Sequence, residues 1–134
     1  MAHIFGLNLW KPSTGKLFMH EFIEDRIEFI LEAISFIEIY LKDINCAADF
    51  EKSTQHKMQF DAILMRLQTI GENVKKINKI DERFFSDRLH IDTDAIIRFR
   101  DLISHHYEKT DTEIVYEICQ TDIPLLKKKL TGVV

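Results

Sequence analysis

Apolar side chains recur every three or four positions along most of this chain, which is the period of an α-helix. The first such stretch covers residues 20–45, and acidic side chains occupy its other faces. Its apolar positions are Ile23, Ile27, Ile30, Leu31, Ile34, Ile37, Leu41 and Ile44, widened by Phe22, Phe29, Phe36 and Ile39. So wide an arc predicts burial on two sides, as in a helix that packs both in its own bundle and on a partner subunit.

A second helix is predicted to begin at a cap formed by Ser53 or Thr54. Its apolar stripe consists of Phe60, Ile63, Leu64, Leu67, Ile70, Val74 and Ile77. Gly71 lies inside this stripe, where a glycine costs about 1 kcal/mol relative to alanine. We therefore expect another helix to pack closely at Gly71. Residues 78–92 predict a loop that holds a short helical turn around 81–85.

Two further helices are predicted after this loop. One covers residues 94–107, begins at a cap formed by Asp92 or Thr93, and turns Ile96, Phe99, Leu102 and Ile103 inward. The next begins at Asp111 and carries Ile114, Val115, Ile118 and Cys119 on one side. Pro124 should kink or break it, because proline lacks the amide donor and clashes with the preceding turn. The pattern predicts an all-α fold, an antiparallel up-and-down bundle of four or five helices.

Length and composition fit one helical domain. The chain has 134 residues, 46% of them hydrophobic and 30% charged, with only four glycines and two prolines. Residues 1–18 hold the only tryptophan and half of the glycines, so we expect an N-terminal extension or leader there, and the helical domain at 19–134. The alternative for residues 1–18 is an arm that pairs with a second copy.

Charge and cysteine content restrict the partners and the compartment. The net charge is −4, so an RNA ligand would need a local basic patch, because phosphate binding is mainly electrostatic. Cys46 and Cys119 are expected to be free core thiols, as in a reducing cytoplasm. We expect no membrane span and no secretion signal, since the chain lacks a long apolar run and a basic N-terminal region followed by an apolar one.

One stretch, residues 97–107, concentrates groups that could carry chemistry. Arg100, Ser104 and Tyr107 share a helix face, and Asp101 and His105 form an i, i+4 pair on the adjoining face. This set suits the cleavage of an RNA phosphodiester. An imidazole can move the proton of a 2′-hydroxyl or of the leaving 5′-oxygen, and a guanidinium can hold the phosphate. Asp101 could orient His105, and no metal or other cofactor is expected.

The competing interpretation of this stretch is a solvated helix face with incidental ion pairs, which contribute little. By the same reasoning, His20, His56 and His90 are expected to be ordinary surface or boundary residues. Tyr40 and Tyr116 are expected to be half-buried packing aromatics.

The sequence from Arg100 to Tyr107 resembles the R-x4-H-x-Y motif of HepT-like toxins, a branch of the HEPN superfamily of ribonucleases. Residues 70–76 (IGENVKK) are similar to the family's IGE-x-V segment on its second helix, and residues 111–118 are similar to its next helix. Asp122, Ile123 and Pro124 resemble the family's proline kink. The resemblance covers residues from about 20 to 131. Tyr107 fixes the register, because His105 stands two places before it and His106 only one.

The resemblance implies a homodimer whose cleft, shared by both subunits, cleaves RNA (tRNA or mRNA) endonucleolytically without a metal. Arg100 and His105 would be catalytic, with Asp101, Ser104 and His106 in support. It also implies a MntA-like nucleotidyltransferase antitoxin that transfers AMP to Tyr107, and possible larger hetero-oligomers with it. The chain departs from the family at Asp101, where many relatives have Asn, and in lacking a tryptophan in residues 81–95.

Because the chain is acidic overall, its basic groups must concentrate near the cleft. The RNA-binding candidates are Arg98, Lys75, Lys76 and Lys109. Two alternatives to the enzyme stay open. One is a non-catalytic helical module that partners a minimal nucleotidyltransferase, and the other is a structural helical dimer without a ligand.

Overall fold

The computed structural model of this chain describes residues 12–106 and 110–133. Five α-helices cover most of these residues, and no strand occurs among them. The helices are α1 (Pro12–Tyr40), α2 (Thr54–Ile80), α3 (Asp94–His106), α4 (Thr112–Glu117) and α5 (Ile123–Thr131), with a 3₁₀ turn at Ala47–Glu51 and π turns at Phe84–Arg88 and Ile118–Asp122. The predicted all-α class is confirmed, whereas the homodimer stays a prediction.

The first two helices run antiparallel. Near the end of α1, the carbonyl of Tyr40 accepts a hydrogen bond from Gln59 Nε2 at 3.0 Å, close to the start of α2. Midway along α1, Arg26 Nη1 donates to Asn73 Oδ1 at 3.3 Å, late in α2. The direction of α2 is therefore opposite to that of α1.

Helix α2 also runs antiparallel to α3. Gln68 Nε2 donates to Ser104 Oγ at 3.2 Å, and Asn78 Nδ2 donates to Thr93 Oγ1 at 3.0 Å. Helix α2 thus lies between α1 and α3, while α5 packs on α1 and α4 packs on the 3₁₀ turn. Asp92 Oδ1 accepts from Asp94 N at 2.9 Å, so Asp92, of the two expected candidates, supports the start of α3.

The core consists of the apolar stripes that the sequence pattern predicts. Every predicted position of the α2 stripe except the half-buried Phe60 is buried. The α1 stripe and the C-terminal helices complete the core with Ile27, Ile30, Ile34, Ile37, Val115, Cys119, Leu126 and Leu130. One prediction of an inward-facing residue is wrong: Leu102 is 43% exposed, because it lines an open groove instead of the core. Ile114, predicted on the same side of its helix as Val115, is 48% exposed and lines the same groove.

The bounds of α1 differ from those expected. The helix begins at Pro12, well before residue 20, and proline suits this place because its fixed φ and missing N–H fit a first helical turn. The helix ends at Tyr40, and Ile44 is buried by the turn that follows, where its N–H donates to the Leu41 carbonyl. Residues 1–11 lie outside the described residues, and the expected boundary at residue 18 stays a prediction.

A polar group that we call the connection cluster (Asp43, Ser53, His56 and Gln59) joins α1 to α2. Ser53 Oγ accepts from His56 N at 3.2 Å and lies 2.6 Å from His56 Nδ1, which confirms Ser53 as the cap of α2. His56 Nε2 lies 3.2 Å from Asp43 Oδ2, and Gln59 Nε2 donates to Asp43 Oδ1 at 2.9 Å. These contacts tie the start of α2 to the end of α1. His56 is therefore a boundary residue, as expected.

The C-terminal helices follow the predicted caps and break. Asp111 Oδ1 accepts from Glu113 N at 2.8 Å and caps α4. The π turn Ile118–Asp122 lies just before Pro124. The wider π turn accommodates proline, which has no backbone N–H to donate to the helix. The two cysteines are free, but only Cys119 is a core thiol, and burial raises its pKa to about 12. Cys46 is exposed, so the expectation that both lie in the core is wrong for Cys46.

Candidate functional site

Helices α2 and α3 come into close contact at Gly71. A Cβ atom at this position would overlap the Cβ of Arg100 and come within 2.7 Å of its Cγ. Any side chain larger than hydrogen would therefore push the two helices apart. The prediction of close packing at Gly71 is confirmed, and the side chain that crosses the glycine is that of Arg100.

The guanidinium of Arg100 lies between two carboxylates. Its Nη1 donates to Asp101 Oδ1 at 2.8 Å, and its Nη2 lies 3.5 Å from Glu72 Oε1. The Arg100 side chain is 24% exposed, so part of it is reachable from solvent. Its Nε is buried and has no hydrogen-bond partner among the described residues. We call Glu72, Arg100, Asp101, Ser104 and Gln68 the α2–α3 cluster.

The charges of this cluster stabilise one another. The hydrogen bond to Asp101 raises the pKa of Arg100, and the nearby charge of Glu72 acts in the same direction. In return, the hydrogen bond from Arg100 holds the pKa of Asp101 below its usual value, and the charges of Lys75 and His105 lower it further. Asp101 was expected to orient His105. Its hydrogen bond comes instead from Arg100, and His105 acts on it through charge, so the orienting role stays a prediction.

Two further groups of α3 lie beside Arg100. Ser104 Oγ donates to the Arg100 carbonyl at 3.1 Å and accepts from Gln68 Nε2 at 3.2 Å. The hydroxyl is thus used to link α3 to α2. His105 follows on the same helix, and its ring is exposed to solvent. The end of α3 therefore presents a partly covered guanidinium and an open imidazole.

Grooves lie on both sides of α3. One of about 480 Å³ adjoins the α2–α3 cluster and is lined by Tyr40, Asp61, Ala62, Leu64, Met65, Arg66, Gln68 and Ile103. Gln68 belongs both to this groove and to the cluster. The other groove, of about 780 Å³, is mainly apolar and lies between α3 and the C-terminal helices, where Leu102, Ile114 and Leu125 are exposed.

Comparison with known families identifies the family of this chain. The family model described as ribonuclease HepT-like matches residues 30–133, which include α2, α3 and both C-terminal helices. This chain belongs to the HepT-like family. The matched span contains Gly71, Glu72, Arg100 and His105, so the whole candidate site lies within the part of the chain that the family defines.

Two similar proteins come from Thermococcus cleftensis and Methanocaldococcus jannaschii. The chain is 33% identical over 108 residues to a Thermococcus cleftensis protein named "Probable ribonuclease HepT", covering 79% of this chain and 90% of the relative. It is 30% identical over 112 residues to a Methanocaldococcus jannaschii protein whose name combines gamma-glutamylcyclotransferase with a provisional RNase designation. That match covers 84% of this chain but 47% of the relative, so this HepT-like chain spans about half of that protein. No solved structure matches.

Other predicted residues of this HepT-like chain lie at different distances from the cluster. Lys75 is exposed and its charge acts on Asp101, so it belongs to the surroundings of the site. Lys76 is exposed on the next position of α2. Arg98 lines the larger, apolar groove, so the structure does not bring it to the cluster. Tyr107, Lys109 and the side chain of His106 lie outside the described residues.

Sequence reasoning gave no role to Glu72 or Gln68. Both contact α3 from α2, and the structure places them against Arg100 and Ser104. The position of Glu72 directly after Gly71 was a usable signal, because a residue beside a close helix contact can reach the neighbouring helix. Gln68 carried no such signal, since a glutamine on a helix is usually solvated.

Neither a metal-binding cluster nor a membrane-spanning helix occurs among the described residues. No three side chains of His, Cys, Asp or Glu come together there as a metal site would require. None of the described helices is both long and apolar enough to cross a bilayer.

Proposed function

We propose that this protein is an endoribonuclease toxin that cleaves RNA without a metal at the end of α3. One observation carries the proposal: within a HepT-like chain, Arg100 is fixed between two helices and the exposed His105 follows it on α3. A guanidinium and an imidazole at one helix end are the two groups that cleavage of a phosphodiester needs most. The provisional RNase names of the relatives support the same activity.

The chemistry assigns a role to each group. The 2′-oxygen of the substrate attacks the neighbouring phosphorus, and the bond from phosphorus to the 5′-oxygen breaks. An imidazole takes the proton of the 2′-hydroxyl, and another gives a proton to the leaving 5′-oxygen. Arg100 donates to the phosphate oxygens and offsets their growing negative charge. A symmetric dimer would supply both imidazoles, one His105 from each subunit.

Exposed apolar residues of α1 support the dimer. Phe29 and Ile39 are 47% and 52% exposed, although the sequence pattern predicts burial on this arc. Large apolar side chains at a surface often mark a protein interface. Light scattering at working concentration tests this part of the proposal, and a monomer would contradict the shared cleft.

The predicted antitoxin completes the proposal. A MntA-like nucleotidyltransferase would transfer AMP from ATP to the hydroxyl oxygen of Tyr107 and release pyrophosphate. The added phosphate is anionic. In the sequence Tyr107 follows His105 closely, so this adduct would occupy the place of the substrate phosphate. Cells that hold both proteins would then be protected from the toxin.

Purified protein incubated with total RNA and EDTA tests the activity. We expect cleavage by the unchanged chain and a loss on the order of 100-fold in Arg100→Ala, because one stabilising donor contributes about that much. Arg83→Ala is the matched control, since Arg83 is exposed and pairs only loosely with Asp87 at 3.8 Å. Undiminished cleavage in Arg100→Ala would contradict the site.

The main alternative is a helical module that binds a nucleotidyltransferase without cutting RNA. The two carboxylates beside Arg100 favour it, because they compete with a phosphate for the same guanidinium. Copurification with the nucleotidyltransferase together with no cleavage by the free dimer would establish this alternative.

A further inference from the structure

Glu72 contacts the guanidinium of Arg100 from a different helix than Asp101 does. Glu72 Oε1 lies 3.5 Å from Nη2, and Asp101 Oδ1 accepts from Nη1 at 2.8 Å. The two terminal nitrogens of one flat group are thus held by two separate carboxylates. Two such contacts fix the plane of a guanidinium in a way that a single ion pair does not.

The other end of the Arg100 side chain is fixed as well. Its Cβ and Cγ lie directly over Gly71, at a distance that admits no side chain on the glycine. Gly71 and Glu72 are neighbours in the sequence, so adjacent residues of α2 hold both ends of the Arg100 side chain. Each terminal nitrogen carries two N–H groups and has one carboxylate contact, so one N–H on each has no carboxylate partner among the described residues.

The stability of the fold does not explain this arrangement. Arg100, Glu72 and Asp101 are 24%, 41% and 45% exposed, and ion pairs that contact solvent to this extent contribute little to folding. A carboxylate beside a phosphate-binding group also repels the ligand. Its presence therefore needs a benefit other than affinity, and a fixed orientation of the guanidinium is such a benefit.

We infer that Glu72 is a positioning residue that acts through Arg100: it holds the guanidinium in the orientation from which the remaining N–H groups meet the phosphate. This inference rests on the proposed ribonuclease function for its kinetic consequence. Its structural part, that Glu72 fixes Arg100, can be measured without any cleavage.

The kinetic test is a double-mutant cycle under single-turnover conditions. Glu72→Gln should lower the rate constant of cleavage about 10- to 100-fold, because small misplacement of a reacting group has effects of that size. In an Arg100→Ala background the same change should have no further effect, because the residue it positions is gone. The pH–rate profile should keep its shape in Glu72→Gln, since a positioning residue does not transfer a proton in the reaction.

A second measurement reports on Arg100 directly. Phenylglyoxal modifies accessible guanidinium groups, and mass spectrometry gives the rate for each arginine. We expect faster modification of Arg100 in Glu72→Gln than in the unchanged chain. Glu28→Gln is the matched control, because Glu28 is an exposed glutamate inside α1. Unfolding by urea, measured for each variant, checks that the fold is retained.

The outcomes separate the inference from the proposed function. Additive losses in the double mutant, or an unchanged modification rate of Arg100 in Glu72→Gln, overturn the positioning role. Faster modification of Arg100 in a protein that never cleaves RNA keeps the positioning role and overturns the proposed function.

Discussion

The connection cluster and the α2–α3 cluster each bring acidic, basic and hydroxyl groups within hydrogen-bond distance. In the connection cluster, Ser53, His56 and Asp43 follow one another in the order of a hydrolytic triad. In the α2–α3 cluster, Glu72 and Asp101 flank Arg100, and Ser104 lies beside it. Residue types and distances alone do not distinguish the two.

The two clusters differ in how many of their hydrogen-bonding groups are already used within the fold. Ser53 Oγ accepts from the first turn of α2, and Gln59 donates to both Asp43 and the carbonyl of Tyr40. These hydrogen bonds hold the end of α1 against the start of α2. Arg100 keeps N–H groups beyond its two ion pairs, and the open ring of His105 and a groove lie nearby. A polar cluster is a candidate site when some of its donors lack a partner inside the cluster and it adjoins open space.

Replacing the histidine of each region by alanine should give the largest difference in RNA cleavage. His105→Ala should lower RNA cleavage by about 10²- to 10⁴-fold, the usual contribution of a positioned acid or base. His56→Ala should leave the cleavage rate unchanged and lower only the stability, because His56 links Ser53 to Asp43. Cleavage assays at matched concentrations of folded protein measure both. Equal losses of activity would erase the distinction between the clusters.

The glycine contact should show the next largest effect. Gly71→Ala should lower the free energy of unfolding by about 1–3 kcal/mol, because the added methyl group overlaps the Arg100 side chain. Gly132→Ala is the control, since a Cβ there would lie 3.6 Å from its nearest neighbour, an ordinary contact. Urea unfolding followed by circular dichroism gives both values. A Gly71→Ala protein as stable as the parent would mean that α3 can move away freely.

The cap of α2 should have a smaller effect, confined to stability. Ser53→Ala should cost about 1 kcal/mol, because the hydroxyl accepts the His56 N–H that the helix leaves unpaired. Ser35→Ala serves for comparison. Ser35 lies inside α1 and donates to the Glu32 carbonyl, so its hydroxyl does not satisfy an unpaired amide. A loss of RNA cleavage in Ser53→Ala at full folding would assign chemistry to the connection cluster.

The smallest expected effect is a pH dependence of stability. The hydrogen bond from Gln59 is the main cause that lowers the pKa of Asp43 in the folded protein. A carboxyl group with a lowered folded pKa stabilises above its unfolded value and loses this contribution as the pH falls through the folded value. The difference in Tm between the parent and Asp43→Asn should therefore shrink below about pH 4. A difference that stays constant from neutral to acidic pH would contradict the link.

The sequence by itself determined the class of fold and the location of the candidate chemistry. Periodic apolar residues specify helices because a stripe must be buried, and this requirement is local to each segment. The same periodicity identified Gly71 as a close contact, and the spacing from Arg100 to Tyr107 indicated one helix end. The caps at Ser53 and Asp111 and the break before Pro124 also follow from local hydrogen bonding.

Only the tertiary structure decided which side chains meet across helices. Rotation of α3 about its axis turned Leu102 toward a groove, and the crossing at Gly71 brought Glu72 to Arg100. Such contacts depend on the angle and distance between helices, which the packing of the whole core sets. A pattern along one helix carries no information about the neighbour that will face it.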